Sequence, residues 1–170
     1  PGVPVNARVN MLTASLHEEN TVYAVFNPQR SGDFKPYVLR SADKGKTWVN
    51  ITSNLPVRGN SYCLKQDHVD PNLLFVGTEF GAFFTTDGGL NWTKLAGLPT
   101  VAVYDLDIQK RENDLVVATH GRSFWILDDI NPLRQHTEAV AKQAVTLFQP
   151  SDAIRGVYDA VFQYYLKSKV

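Results

Sequence analysis

Apolar residues in this chain come in short runs rather than in helical stripes. Between residues 57 and 99 they fall at Tyr62 to Gln66, Leu73 to Thr78, Ala82 to Thr85 and a segment starting at Trp92, each bounded by Gly, Pro, Asn or Asp. The runs are rich in β-branched and aromatic residues, which is the signature of strands. Between residues 7 and 99 no fifteen-residue window repeats with a 3.6-residue period, which argues against a helical repeat protein. No apolar run approaches the roughly 18 residues that would cross a bilayer. The start, Pro1-Gly2-Val3-Pro4, has neither a basic n-region nor an apolar h-region, so no membrane span is predicted.

The runs repeat. Leu74-Phe75-Val76-Gly77-Thr78-Glu79 aligns with Leu115-Val116-Val117-Ala118-Thr119-His120 at an offset of 41. In that register Phe83 falls on Phe124, Phe84 on Trp125 and Asp87 on Asp128, while Tyr62-Cys63-Leu64 falls on Tyr104-Asp105-Leu106 at an offset of 42. A second pair is Ser41-Ala42-Asp43-Lys44-Gly45-Lys46-Thr47-Trp48 and Thr85-Thr86-Asp87-Gly88-Gly89-Leu90-Asn91-Trp92, offset 44, each followed by Leu-Pro at Leu55-Pro56 and Leu98-Pro99. Three units result, roughly residues 7–56, 57–99 and 100–148, with an insertion around Asn27 to Pro36 and a degenerate turn at Asp128-Asp129. Four antiparallel strands per unit of about forty residues make the blade of a β-propeller, so the fold class is all-β. Residues 1–150 are assigned to blades, and residues 151–170 to a linker and the first strand, Val161 to Lys167, of a following β domain. The step from Ser151-Asp152-Ala153 to that strand is abrupt, which points to residues missing near Gly156 and Val157. A ring needs about four to eight blades. Three blades therefore imply completion by further blades of the same propeller or by other copies of the chain, and the absence of an initial Met agrees with a piece of something longer.

The repeated turn has its own chemistry. An Asp opening a tight turn accepts the backbone N–H groups that follow, Gly supplies a positive φ, and Trp folds back over the turn. The pattern Ser/Thr-x-Asp-x-Gly-x-Thr/Asn-Trp, carried by Ser41, Asp43, Gly45, Thr47 and Trp48 and again by Thr85, Asp87, Gly89, Asn91 and Trp92, resembles the Asp-box or BNR-repeat propellers. That superfamily includes sialidases, sortilin-like Vps10 domains, xyloglucan-degrading enzymes and photosystem assembly factors. The longer strings Val76 to Gly81 and Ala118 to Ile130 are similar to the last blades of large bacterial sortilin-like or glycosyl-hydrolase BNR-repeat proteins. The resemblance covers roughly residues 5–156 and implies a secreted or periplasmic protein. It also implies that the boxes are structural, because family active sites lie on the opposite face.

Charge and composition narrow the partners. Lys plus Arg and Asp plus Glu are 17 each, so no net field draws the chain to nucleic acid. Cys63 stands alone, and His17, His68, His120 and His136 lack paired spacing, which leaves no disulfide scaffold, no metal and no cofactor to assign. Asp67-His68-Val69-Asp70 reads as a turn on the box side that would suit calcium.

In a four-stranded blade the B-to-C and D-to-A loops share one face. That face collects Arg58, Glu79, His120 and Arg122, where cations beside a carboxylate would hold a sugar or an anion, although a surface ion pair is the plainer reading. Asp105 and Asp107 alternate along an innermost strand with side chains about 7 Å apart. That separation is permitted for inverting glycoside hydrolysis and equally for a solvated channel wall. Three functional readings follow: a non-catalytic binding or scaffold propeller engaging protein or glycan, a glycoside hydrolase whose main catalytic residues lie elsewhere, and an assembly factor docking a partner protein. No catalytic residue is assigned.

Overall fold

A computed structural model describes residues 2–153, 156–157 and 159–168. Strands β1 (Arg8–Ala14), β2 (Val22–Asn27), β3 (Tyr37–Ser41) and β4 (Val49–Asn50) form one antiparallel sheet in chain order. Strands β5 (Ser61–Gln66), β6 (Leu74–Thr78), β7 (Gly81–Thr85) and β8 (Thr93–Lys94) form a second of the same topology. The third sheet has three strands, β9 (Val103–Gln109), β10 (Asp114–Thr119) and β11 (Phe124–Leu127). These are three consecutive propeller blades, the all-β architecture the repeats predict.

Two expectations change in the third blade. No fourth strand follows β11; the chain turns into helices α1 (Asn131–Gln135) and α2 (Glu138–Lys142). Pro132, which cannot donate to a ladder, sits in the first turn of α1, where its missing N–H costs nothing. The register also moves by one residue. Phe83 pairs with Val76 whereas Trp125, not Phe124, pairs with Val117. The B-to-C connection, two residues long between β6 and β7, is longer between β10 and β11, and a one-residue slip exchanges the faces of a strand. Phe83 therefore corresponds to Trp125, and Phe124 turns to the open side, 72% exposed.

The C-terminal strand is shorter than its apolar run, β13 being Tyr164–Leu166. It pairs with β12 (Val145–Leu147), so the end of the span assigned to blades joins the C-terminal strand rather than β11. The expectation of missing residues near Gly156 and Val157 falls among residues 154, 155 and 158, which lie outside the described residues.

Strand alternation builds the seams between blades. Tyr23, Val25 and Val38 of the first blade meet Leu64, Leu74, Val76, Phe83 and Trp92 of the second. The opposite face of the second blade, Cys63, Phe75 and Ala82, meets Val103, Leu106, Ile108, Leu115 and Val117 of the third. Each leucine, isoleucine, valine or phenylalanine among them contributes about 1.5–3 kcal/mol when fully buried. The second seam is so close that a Cβ on Gly77 would lie 2.5 Å from Cys63 Sγ and 2.6 Å from the Val103 carbonyl oxygen. Only glycine fits there, and burial pushes the Cys63 thiol up to about 12, leaving it a small apolar filler.

The box turns lie between β3 and β4 and between β7 and β8. Asp43 accepts from Ser41 Oγ (2.8 Å), the Thr47 N–H (2.8 Å) and Thr47 Oγ1 (2.6 Å). Asp87 repeats the set with Thr85 Oγ1 (2.6 Å), the Asn91 N–H (2.9 Å) and Asn91 Nδ2 (2.8 Å). The Thr47 hydroxyl, then the Thr47 N–H and Ser41, hold the Asp43 carboxyl down to about 2. For Asp87, burial pushes upward, but the bonds from Thr85 and Asn91 outweigh it. Both carboxylates are thus committed to their own turns. The tryptophans differ. Trp48 donates to the Gly45 carbonyl of its own turn at 3.0 Å, whereas Trp92 donates across the seam to Ile51 at 2.8 Å. The Asn54 amide also grips the Trp92 backbone at both N–H and C=O.

Candidate functional site at the channel rim

Backbone bonds sort the loops into two sides. Lys44 N–H reaches the Asn20 carbonyl and Gly88 N–H the Asn72 carbonyl, so the boxes share a side with the A-to-B turns. On the other side Glu79 N–H bonds the Asn60 carbonyl and His120 N–H the Ala102 carbonyl, joining B-to-C loops to D-to-A loops.

At that second side each innermost strand carries a β-bulge at the same level. The ladder skips Asn10 between Val9 and Met11, Tyr62 between Ser61 and Cys63, and Tyr104 between Val103 and Asp105. A bulged residue leaves the pleat and its side chain is re-aimed. Asn10, Tyr62 and Tyr104, one from each blade, line a single cavity of about 410 Å³ with Arg8, Asn27 and Gln29. Asn10 Nδ2 donates across the seam to the Ser61 carbonyl at 2.9 Å. The Tyr62 and Tyr104 rings stand edge to face at 4.5 Å, and His120 lies 5.0 Å beyond Tyr104. Burial, and then the neighbouring Tyr104 and Glu79, push the Tyr62 phenol up to about 12, so it stays a neutral donor. Aromatic faces beside amides and one guanidinium suit a ligand with apolar ring faces and hydroxyl edges.

Of the sequence-predicted site residues, the His120 ring stacks beyond Tyr104 and the Glu79 charge acts on the Tyr62 phenol. Arg58 does not pair with Glu79; its guanidinium lies 5.9 Å from the Phe34 ring centroid. The Arg122 carbonyl accepts from the Trp125 indole, and no described ion pair includes Arg58, Glu79 or Arg122. Asp105 and Asp107 occupy one face of β9, opposite Ala118 and Val116. Asp107 is bound by Lys65 Nζ at 2.6 Å, and that bond, first among its causes, holds its carboxyl below the usual range. A glycosidase acid needs the opposite shift. The calcium turn is occupied otherwise: the buried Asp67 carboxylate accepts a two-pronged contact from Arg134 and the N–H groups of Val69 and Asp70. Among the described residues no group of three His, Cys, Asp or Glu is arranged for a metal, and no helix is long and apolar enough to cross a membrane. Beyond the alignment of Tyr62 with Tyr104, nothing in the sequence marks Tyr62, Tyr104 and Asn10 as site residues, because a bulge is invisible without the partner strand.

No protein-family model matches the chain. A xyloglucanase of Acetivibrio thermocellus is 31% identical over 101 residues, 53% of this chain and 12% of that protein. A probable oligoxyloglucan-reducing end-specific xyloglucanase of Neosartorya fischeri is 33% identical over 67 residues, 36% of this chain and 8% of that protein. Among solved structures, the GH74 xyloglucanase of Xanthomonas campestris superposes with TM-score 0.58 at 15% identity, over 84% of this chain and 25% of that one. The GH74 enzyme of Niastella koreensis gives 0.57 at 19% identity, over 71% and 21%. YCF48 bound to D1 peptide gives 0.51 at 17% identity, over 76% and 40%. The chain thus spans about an eighth or less of the curated relatives named here, and it is a run of β-propeller blades similar in sequence to short stretches of xyloglucanases.

Proposed function

We propose that this chain supplies consecutive blades of a larger Asp-box propeller, outside the cytoplasm, and that these blades bind a neutral glucan of the xyloglucan class at the bulge row rather than cleave it. The observation that carries the reading is the row itself: three equivalent bulges bring Asn10, Tyr62 and Tyr104 to one cavity. The box turns, with both Asp carboxylates spent on their own hydrogen bonds, support the Asp-box assignment. The sequence likeness to xyloglucanases supports the ligand class. Asp107, tied to Lys65 at 2.6 Å and shifted downward, does not offer the general acid that a glycosidase pair needs.

Titrating a xyloglucan oligosaccharide into the full protein, followed calorimetrically, tests this reading. Tyr104→Ala should weaken binding about tenfold or more, roughly 1.4 kcal/mol, while Arg111→Ala, on the A-to-B side, should leave it unchanged. Wild-type affinity in Tyr104→Ala would refute it.

A further inference from the structure

A second cavity lies on the box side, between the second blade and the C-terminal segment, with a volume of about 530 Å³. One wall is blade surface: Phe84, Thr93 and the Asp87 turn. The other is Phe148 with Tyr164 and Tyr165 of β13, closed by His136 at the end of α1. That second wall is held in place. Arg134 ties α1 to Asp67 at 2.8 Å, the Gln135 amide bonds both the Gln149 N–H (2.8 Å) and its carbonyl (3.1 Å), and His136 stands edge to face on Tyr165 at 4.9 Å. Size, fixed walls and an apolar lining with a few polar groups are the attributes of a small-molecule site.

The lining selects a ligand. Aromatic rings offer flat apolar faces, whereas the hydroxyls of Thr93, Tyr164 and Tyr165 have no hydrogen-bond partner among the described residues. The one charged group with a fixed charge is the Asp87 carboxylate, anionic and already engaged, so an anion is repelled and a neutral polyol is not. A pyranose ring has this complement, C–H faces for the rings and hydroxyls around its edge. We propose that this cavity is a second, separate site that takes one neutral pyranose unit, an anchor for a glycan on the side opposite the bulge row. The inference takes its ligand class from the function proposed above and its location from the second cavity alone.

Nuclear magnetic resonance titration of the full protein with a xyloglucan oligosaccharide, comparing wild type, Tyr104→Ala, Thr93→Val and Tyr164→Ala, separates the two sites. Thr93→Val keeps shape and removes one hydroxyl, so it should weaken the second site about 3- to 10-fold while leaving the hairpin folded. Tyr164→Ala, which removes a ring face, should abolish it. Two sets of shifting resonances, one lost in Tyr104→Ala and the other in Tyr164→Ala, is the expected result. One set lost only in Tyr104→Ala overturns this inference and leaves the bulge-row reading standing. One set lost only in Tyr164→Ala does the reverse, and no binding overturns both. A cavity filled by a segment of the parent protein would appear as Tyr164 resonances insensitive to sugar, and would also overturn it.

Discussion

Arg134→Ala is expected to destabilise the protein by about 3–5 kcal/mol, read as a lower denaturant midpoint in chemical unfolding. The Asp67 side chain is fully buried and that of Arg134 is only 11% exposed, and the guanidinium meets the carboxylate through two bonds of 2.8 Å. Removing the cation strands a buried charge, which is the expensive way to break such a pair. Asp67→Asn with Arg134→Met should cost less, because no charge is left unpaired and the amide oxygen still accepts from the Val69 and Asp70 N–H groups. The pair also sets a pH dependence. Burial alone would raise the Asp67 carboxyl, but the bonds and charge of Arg134, with the Asp70 and Val69 N–H groups, bring it below its ordinary value. A depressed folded-state value stabilises the protein above the unfolded value of about 3.9, and that contribution disappears as pH falls through the folded value. In Arg134→Ala the acid-side slope should shrink together with the neutral-pH stability. A variant with wild-type midpoint would show that α1 is not anchored there.

Trp92→Ala should cost a similar amount, about 3–5 kcal/mol. Its indole is 4% exposed in the first seam and donates to Ile51 of the preceding blade, so truncation opens a cavity and strands a carbonyl. Trp48 occupies the same place in the repeat, but its indole donates to its own turn and it is only half-buried. Trp48→Ala in this chain alone should therefore cost clearly less. Within a parent protein whose preceding blade covers the first one, the two costs should approach each other. Equal midpoints for the two variants of the isolated chain would contradict the seam described for Trp92.

Much of this fold is legible in the chain because its determinants are local. The bonds that each box Asp accepts all fall within eight residues, so Ser41 to Trp48 and Thr85 to Trp92 announce themselves by spacing. Strand limits in the second blade follow the apolar runs to within a residue or so, since buried seams require alternation at every position. What stays hidden depends on distant partners. The slip that puts Trp125 rather than Phe124 opposite Val117 comes from loop length, and α1 replaces a fourth strand because Pro132 and the long-range Arg134–Asp67 pair favour it. The site is the clearest case. Charged loop residues such as Arg58 and Arg122 stand out in a sequence but enter no described ion pair, whereas Asn10, Tyr62 and Tyr104 look like ordinary strand residues until the bulges bring them together.

A crystal structure of the full protein with a xyloglucan oligosaccharide bound tests the central claim most directly. A sugar ring should lie against Tyr62 and Tyr104 with a hydroxyl within hydrogen-bond distance of Asn10. A saccharide bound away from the bulge row, with that cavity empty at saturating ligand, would contradict it.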